Sequence, residues 1–264
     1  MKTARAACPV CGSRQFSVRL DAQNRPVKPR CYYNRCSPAA ILAALRGTPL
    51  DQLRLTPTQD PGRNRAAAQR TWNFSQAVER TLAERYLRDR SITIKPPACL
   101  KFNANVFHHR NSSTDFYFPA LIACAETSDG RFAGIHRTWL DPTTPDLKLG
   151  LDPKKASLGT APGSVVRLTP TLSDTVVLTE GIEDGLSLVQ ATKLTVWCTL
   201  GTNIRAVQLL DCVRTVILAG DNDRTGQTAI QAAAKHFHAN GRQVRIVYPP
   251  PGIKDFNDSL RVNS

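Results

Sequence analysis

Three carboxylates in the C-terminal third carry the clearest chemical signal in this sequence. Glu180 closes the apolar run Thr175-Val-Val-Leu-Thr-Glu180, and Asp221 and Asp223 follow a second apolar run, Val213 to Ala219, within Gly220-Asp-Asn-Asp-Arg-Thr-Gly226. Each run reads as a buried strand. A single acidic residue after a strand carries little information, because Asp and Glu commonly cap the helix that follows. Three of them on one rim would repel one another unless a cation lay between them. Hard oxygen ligands open to a phosphate-bearing substrate suit Mg²⁺ or Mn²⁺. The chemistry expected here is metal-assisted reaction at a phosphate.

A second set of groups lies at the other end of the chain. Cys8-Pro-Val-Cys11-Gly12 is a tight CxxC knuckle, and Cys31 and Cys36 form a C-x4-C pair. Four thiolates suit a tetrahedral zinc site, and a module this small gains much of its stability from such a metal. The competing reading is four unrelated buried cysteines. Phe16-Ser-Val-Arg-Leu20 alternates like a strand, followed by a basic turn between Asn24 and Lys28, so knuckle, hairpin and knuckle make a zinc-ribbon layout. Ser37-Pro38 starts a short helix that Gly47 ends. Tyr32 and Tyr33 beside Arg30 and Arg35 could stack on bases and neutralise phosphates; hairpin packing is the alternative. Cys124, Cys198 and Cys212 lie in apolar surroundings and read as core thiols.

These groups need elements to hold them. After residue 169, strands alternate with helices: strands at 175–180, 194–199, 213–219 and 243–248, helices at 183–191, 204–210 and about 224–239, then a short terminal helix. Such alternation implies right-handed crossovers and a parallel sheet, whose reactive edge lies at the carboxyl ends of the strands. The sequence divides into a zinc-binding module (1–50), a linker (51–75), a basic subdomain of one helix with short strands (76–168) and the α/β domain (169–264). Asp129-Gly130 marks a tight turn between two strands. His108-His109 reads as loop rather than as a metal pair, because neighbours on an extended chain point apart. His136 reads as a packed strand residue.

Charge separates the two halves. The chain carries a formal net charge of +14, of which residues 1–100 contribute +12 and residues 101–264 only +2. A basic front half implies a polyanionic partner, most commonly nucleic acid. No apolar run approaches the roughly 20 residues of a membrane span. The N-terminus lacks the apolar core of a signal peptide, so a cytoplasmic location is expected, where cysteines bind metal or are buried rather than paired.

Several motifs resemble one family. Glu180-Gly-Ile-Glu-Asp184 is similar to the E-G-x-x-D of Toprim domains, the segment from Asp221 to Gly226 to their D-x-D-x-x-G, and Lys254-Asp255-Phe-Asn-Asp258 to their K-D-x-N-D element. Ala83-Glu-Arg-Tyr-Leu-Arg-Asp-Arg-Ser-Ile92 resembles the A-x-x-Y-L-x-x-R-G-I segment of bacterial-type DNA primases, with Ser91 in place of glycine. Arg131 and Arg137 lie on a hairpin similar to the one whose arginines face the template in primases, and Lys154-Lys155 resembles their lysine-bearing loop; a solvated surface is the competing reading for all four. The order of zinc module, linker, basic subdomain and Toprim domain resembles bacterial-type primases, above all the small plasmid- and phage-borne ones. Two departures are a shorter polymerase core and no following helicase or helicase-binding domain.

The resemblance implies template-directed RNA primer synthesis on single-stranded DNA from NTPs, alongside a separate replicative helicase. Glu180, Asp221 and Asp223 would be catalytic magnesium ligands, with Asp184 and Asp255 ligating or orienting them. The zinc module would select and hold template. A Toprim nuclease using the same carboxylates, and a non-catalytic zinc-containing DNA-binding accessory, are the alternatives. A topoisomerase would need a tyrosine nucleophile on a further domain.

Overall fold

The computed structural model describes residues 2–6, 8–12, 16–20, 26–31, 36–45, 61–111, 114–144, 148–150, 152–160, 162–171, 173–201 and 203–262. The chain forms two compact units, Met1–Asn64 and Arg65–Ser264.

In the first unit β1 (Lys2–Ala6), β2 (Phe16–Leu20) and β3 (Pro26–Cys31) form an antiparallel sheet in the order β1-β2-β3, followed by helix α1 (Pro38–Leu45). The hairpin and the helix agree with the sequence reading; β1 is additional. Phe16, Val18, Ile41 and Leu45 are the apolar core, and the four cysteines complete it. Among the described residues these four apolar side chains are a small core, the setting in which a metal cross-link would add most. Arg30 is exposed on β3, while Tyr32, Tyr33 and Arg35 lie outside the described residues.

Residues 51–75, expected to be a linker, instead contain helix α2 (Pro61–Asn73). Its sequence has little apolar periodicity because it buries only a narrow stripe: Ala68 is fully buried and Trp72 packs beside it against β-sheet residues. Helix α3 (Leu82–Asp89) starts at Thr81, whose hydroxyl accepts from Ala83 N. It ends at Asp89 with Arg90 as C-cap, and the next residue, Ser91, holds φ of +58°, a left-handed conformation that glycine adopts most readily. That is the position where the resembling motif has glycine.

The middle of the chain is more strand-rich than its sequence suggested. β4 (Leu100–Asn111), β5 (Thr114–Glu126), β6 (Phe132–Trp139) and β7 (Lys155–Leu158) form an antiparallel sheet in chain order. The Asp129-Gly130 turn joins β5 to β6 as expected, with Gly130 at φ +82°. His108 and His109 are not loop residues. They sit on β4 at a bulge between Phe107 and His109, and the bulge brings the two rings together, with Nδ1 atoms 2.6 Å apart. A regular strand would have pointed them to opposite faces.

The C-terminal region follows the expected order. β9 (Thr175–Thr179), β10 (Val196–Cys198), β11 (Thr215–Ala219) and β12 (Gln243–Val247) are parallel, and the short β8 (Val166–Arg167) joins one edge antiparallel, giving the order β12-β11-β9-β10-β8. Helices α4 (Ile182–Thr192), α5 (Arg224–Ala239) and α6 (Phe256–Val262) complete the layers. Only one turn of 3-10 helix, Ile204–Ala206, forms where a helix over 204–210 was expected. A single apolar cluster runs from Tyr86 and Leu87 of α3 through Leu121 and Ala123 of β5 to Ile182 and Leu186 of α4. The antiparallel sheet and the parallel sheet therefore share a core. Cys124 and Cys198 are buried as expected, but Cys212 is exposed, because it lies in the turn just before β11 rather than within the strand.

Candidate active site

The parallel sheet places Glu180 directly after β9 and Asp221 two residues beyond β11, the adjacent strand. Asp223 is the N-cap of α5; its Oδ1 accepts from Gly226 N at 2.7 Å. One oxygen therefore holds the helix, and the other is free of that duty. These carboxylates act on one another electrostatically. Burial, then Asp221 and Asp223, raise the pKa of Glu180, against the pull of Lys155. Burial, Asp255 and Asp223 raise that of Asp221, against Lys254 and Lys155. Burial first, then Asp255 and Asp221, push Asp184 up to about 7. Each of the five predicted carboxylates therefore acts on, or is acted on by, at least one of the others across the strand ends. A divalent cation would relieve this repulsion, and the all-oxygen donor set suits Mg²⁺ or Mn²⁺.

The backbone around the rim is shaped for it. A Cβ at Gly181 would lie 2.6 Å from Asp184 Oδ2, so a larger residue there would push the Asp184 carboxylate aside. A Cβ at Gly220 would meet Ile230 at 2.6 Å and Tyr248 at 2.9 Å, so the turn into Asp221 also requires glycine. Asn257, almost fully buried, donates its backbone N–H to Asp184 Oδ1 at 3.0 Å and its Nδ2 to Arg90 O and Ser187 Oγ. Asp255 Oδ1 accepts from Asp258 N at 2.8 Å.

A sequence model described as the Toprim domain matches residues 175–264. This C-terminal third of the chain is a Toprim domain. Residues 62–168, from α2 through the antiparallel sheet, match a model described as "Domain of unknown function (DUF7146)". No curated protein matches the chain by sequence. Among solved structures, the DnaG primase catalytic domain bound to ssDNA is 17% identical over 77% of this chain and 78% of that one, with a TM-score of 0.57. The E. coli primase catalytic core is 16% identical over 76% and 75%, with a TM-score of 0.54. The zinc-binding and RNA polymerase domains of the Aquifex aeolicus primase are 13% identical over 94% and 76%, with a TM-score of 0.52. The fold is that of the bacterial primase catalytic core.

The basic residues singled out in the sequence part ways in the structure. Lys155, on β7, opposes the upward pKa shifts of both Glu180 and Asp221. Lys154 is exposed, and its carbonyl accepts from Trp139 N. Arg131 is exposed and pairs with Asp129 at 2.7 Å. Arg137 is half-buried, stacked 4.8 Å over the Trp139 ring, and reaches the carbonyls of Ala156, Phe107 and Ser157. His136 is buried as expected, and burial lowers its pKa to about 4.

Three residues of the site, Asn222, Glu183 and Lys148, escaped the sequence reading. Asn222 donates its Nδ2 to the carbonyls of Pro249 and Ile253 at 3.0 and 2.7 Å, and its N–H to Lys254 O, which pins the Asp255 loop against the Asp221 turn. Glu183, between Glu180 and Asp184, accepts from the Tyr86 hydroxyl of α3, with Lys148 Nζ 3.4 Å away. Burial opposes its charge, but Lys148, Lys155 and the Tyr86 hydroxyl together hold it well below the usual carboxylate range. The only signal in the sequence was an acidic residue at a variable motif position.

Glu183 and Lys148 join the first turn of α4 to the antiparallel half. Glu183→Ala would take the acceptor from the buried Tyr86 hydroxyl and remove the ion pair with Lys148, so it is expected to destabilise the fold by about 3 kcal/mol, measured by urea unfolding. Because the folded-state pKa is depressed, the contribution is present above the ordinary carboxylate value and lost on acidification below about pH 4. Glu183→Gln should show a shallower loss of stability over that range than the wild type.

The N-terminal cysteines also converge. The sulfurs of Cys8, Cys11, Cys31 and Cys36 all lie within 4.8 Å of one another, and Cys11 and Cys31 are 3.6 Å apart. Gly12, at φ +70°, lets its N–H return to Cys8 O at 2.8 Å, closing the knuckle. Desolvation, then the thiols of Cys11, Cys31 and Cys8, push Cys36 up to about 12. Four crowded sulfurs of this kind fit zinc.

Proposed function

We propose that this chain is a DNA primase, a nucleotidyltransferase that builds short RNA primers on single-stranded DNA from NTPs. The observation that carries the reading is the coupled rim of Glu180, Asp221 and Asp223 at the strand ends of a Toprim domain, set in a primase-core fold. Glu180, Asp221 and Asp223 would hold catalytic Mg²⁺ or Mn²⁺, with Asp184 and Asp255 orienting them. When bound, the metal supplies charge screening at the phosphates and activation of the attacking 3′-hydroxyl. The chain's own residues do the rest. Gly181 and Gly220 allow the rim to form, and Asn257 and Asn222 hold Asp184 and the Asp255 loop in place. Lys155 offers a fixed positive charge at the rim for an incoming triphosphate. Lys154, Arg131 and Arg137 would follow the template backbone without reading its sequence. The zinc-binding unit, with Arg30 and Arg35, would grip template, and a separate helicase would deliver it. The reaction would take place in the cytoplasm, where template and NTPs meet. No described helix is long and apolar enough to cross a membrane.

The test is synthesis on a mixed-sequence single strand with Mg²⁺, with and without NTPs. Short labelled RNA products that need NTPs are expected. Cleavage of the strand without NTPs, and no RNA with them, would replace the primase reading by a nuclease.

A further inference from the structure

The β4–β5 ribbon runs past the rest of its sheet. β6 pairs with β5 only from Ala120↔Trp139 to Glu126↔Phe132, whereas β4 and β5 stay paired out to Asn111↔Thr114. The two strands thus leave the sheet as an arm, and the arm carries aromatic rings. Phe107 and Tyr117 are cross-strand partners, with centroids 5.7 Å apart at 74°. His109 and Phe116 stack in parallel, with centroids 4.7 Å apart at 4°. Phe107, Phe116 and Tyr117 are 41%, 37% and 46% exposed. Phe116 and Tyr117 are neighbours on an extended strand, so the two ring pairs occupy opposite faces of the ribbon. At the root of the arm Phe74 is 84% exposed, and its carbonyl accepts from Asn103 Nδ2.

Packing of the domain explains other rings of this region but not these. Phe118 and Trp139 belong to the apolar cluster beneath α2, and His108 seals it, with its Nε2 at 3.0 Å from Pro153 O. Phe107, Tyr117 and Phe116 lie outside every buried cluster. Leaving three large rings in water on one projecting ribbon has a cost, and such patches mark binding surfaces. The chemistry around them selects the partner. Arg137 Nη1 lies 3.4 Å from Phe107 O, and the segment that closes over His108 runs straight into Lys154 and Lys155. Flat rings beside these cations match unpaired bases joined by phosphates.

We propose that the β4–β5 arm is a stacking platform for the unpaired bases of single-stranded DNA, with Phe107 and Tyr117 as its principal rings. The proposal rests on the primase reading for its ligand and adds a site that touches bases rather than backbone. Stacking tolerates any base, so the arm would hold template without selecting sequence.

The probes are an oligo-dT strand and an abasic strand of equal length and charge, titrated onto the full chain. The wild type is expected to bind oligo-dT about tenfold more tightly, the scale of one to two stacked bases. The double variant Phe107→Ala/Tyr117→Ala should lose that preference while binding the abasic strand as before. Phe107→Leu/Tyr117→Leu should behave like the alanine variant, because leucine keeps the apolar surface but offers no ring. A preference that survives in the alanine variant overturns the proposal. So does full binding by the leucine variant, which would make the arm a general apolar docking face for protein. Equal wild-type binding to both strands would overturn the arm alone; no binding to either would overturn the primase reading with it.

Discussion

Asp221→Ala is expected to reduce primer synthesis on the order of a thousandfold or more, the scale of losing one preorganised charge-stabilising group, while single-stranded DNA binds as well as before or more tightly. The two halves of that result come from one fact. Asp221 sits where the burial of its carboxylate and the nearby Asp255 and Asp223 already disfavour its charge. That burden is useful only if a cation balances it during chemistry. Removing the charge would therefore take a ligand from the cation that serves the reacting phosphate, and at the same time lower the repulsion that a polyanion meets on approach. Glu180→Ala should behave in the same way. Asp223 needs a different substitution, because it also caps α5. Asp223→Ala would mix loss of charge with about 1 kcal/mol of lost capping, whereas Asp223→Asn keeps the cap and isolates the charge. Synthesis is read on a mixed-sequence single strand, and binding by fluorescence anisotropy. If Asp221→Ala or Glu180→Ala primes at near wild-type rate, the rim is not the active site.

Loss of zinc is the second large effect. Purified protein should contain one zinc per chain, and Cys11→Ser or Cys31→Ser should remove it and unfold the first unit. The reason is the small core among that unit's described residues: Phe16, Val18, Ile41 and Leu45 are joined there by the cysteines themselves. Structural zinc contributes on the order of 10 kcal/mol to folding in small metal-bound modules, more than four apolar side chains provide at roughly 2 kcal/mol each. Cys198→Ser is the control. Cys198 is buried in the Toprim domain, where its thiol donates to Gly181 O, so zinc content should not change. Elemental analysis decides the first point and circular dichroism the second. Full zinc in both Cys11→Ser and Cys31→Ser would show that these sulfurs are not the ligands.

Much of this is legible in the sequence because the information is local. A buried parallel strand is an unbroken apolar run, and the residue after it must lie on the reactive edge, so Glu180 and Asp221 stand out as a pair from residue order alone. The close spacing within each pair makes the four cysteines legible for the same reason: Cys8 and Cys11, three residues apart, and Cys31 and Cys36, five apart, can each reach one point from a short turn. The hairpin around Asp129-Gly130 follows from turn chemistry that needs no distant partner.

Other features depend on contacts between segments far apart in the chain, and only the tertiary structure decided them. Helix α2 has weak periodicity because the long strands of the antiparallel sheet need only Ala68 and Trp72 from it. Glu183 looks like a variable motif position until Tyr86 and Lys148 arrive from elsewhere in the sequence. His108 and His109 meet because a bulge breaks the two-residue period of β4. Arg137 looks like a free template arginine, yet its guanidinium lies over Trp139 among backbone carbonyls. Asn222 and Asn257 pin the carboxylate loops through bonds to Pro249, Lys254, Asp184 and Arg90, partners that only the packing of α4, α6 and the β11 turn brings within reach. Strand ends and knuckles depend on local order alone; the support of the site depends on which segments pack together, and a linear pattern of residue types does not encode that.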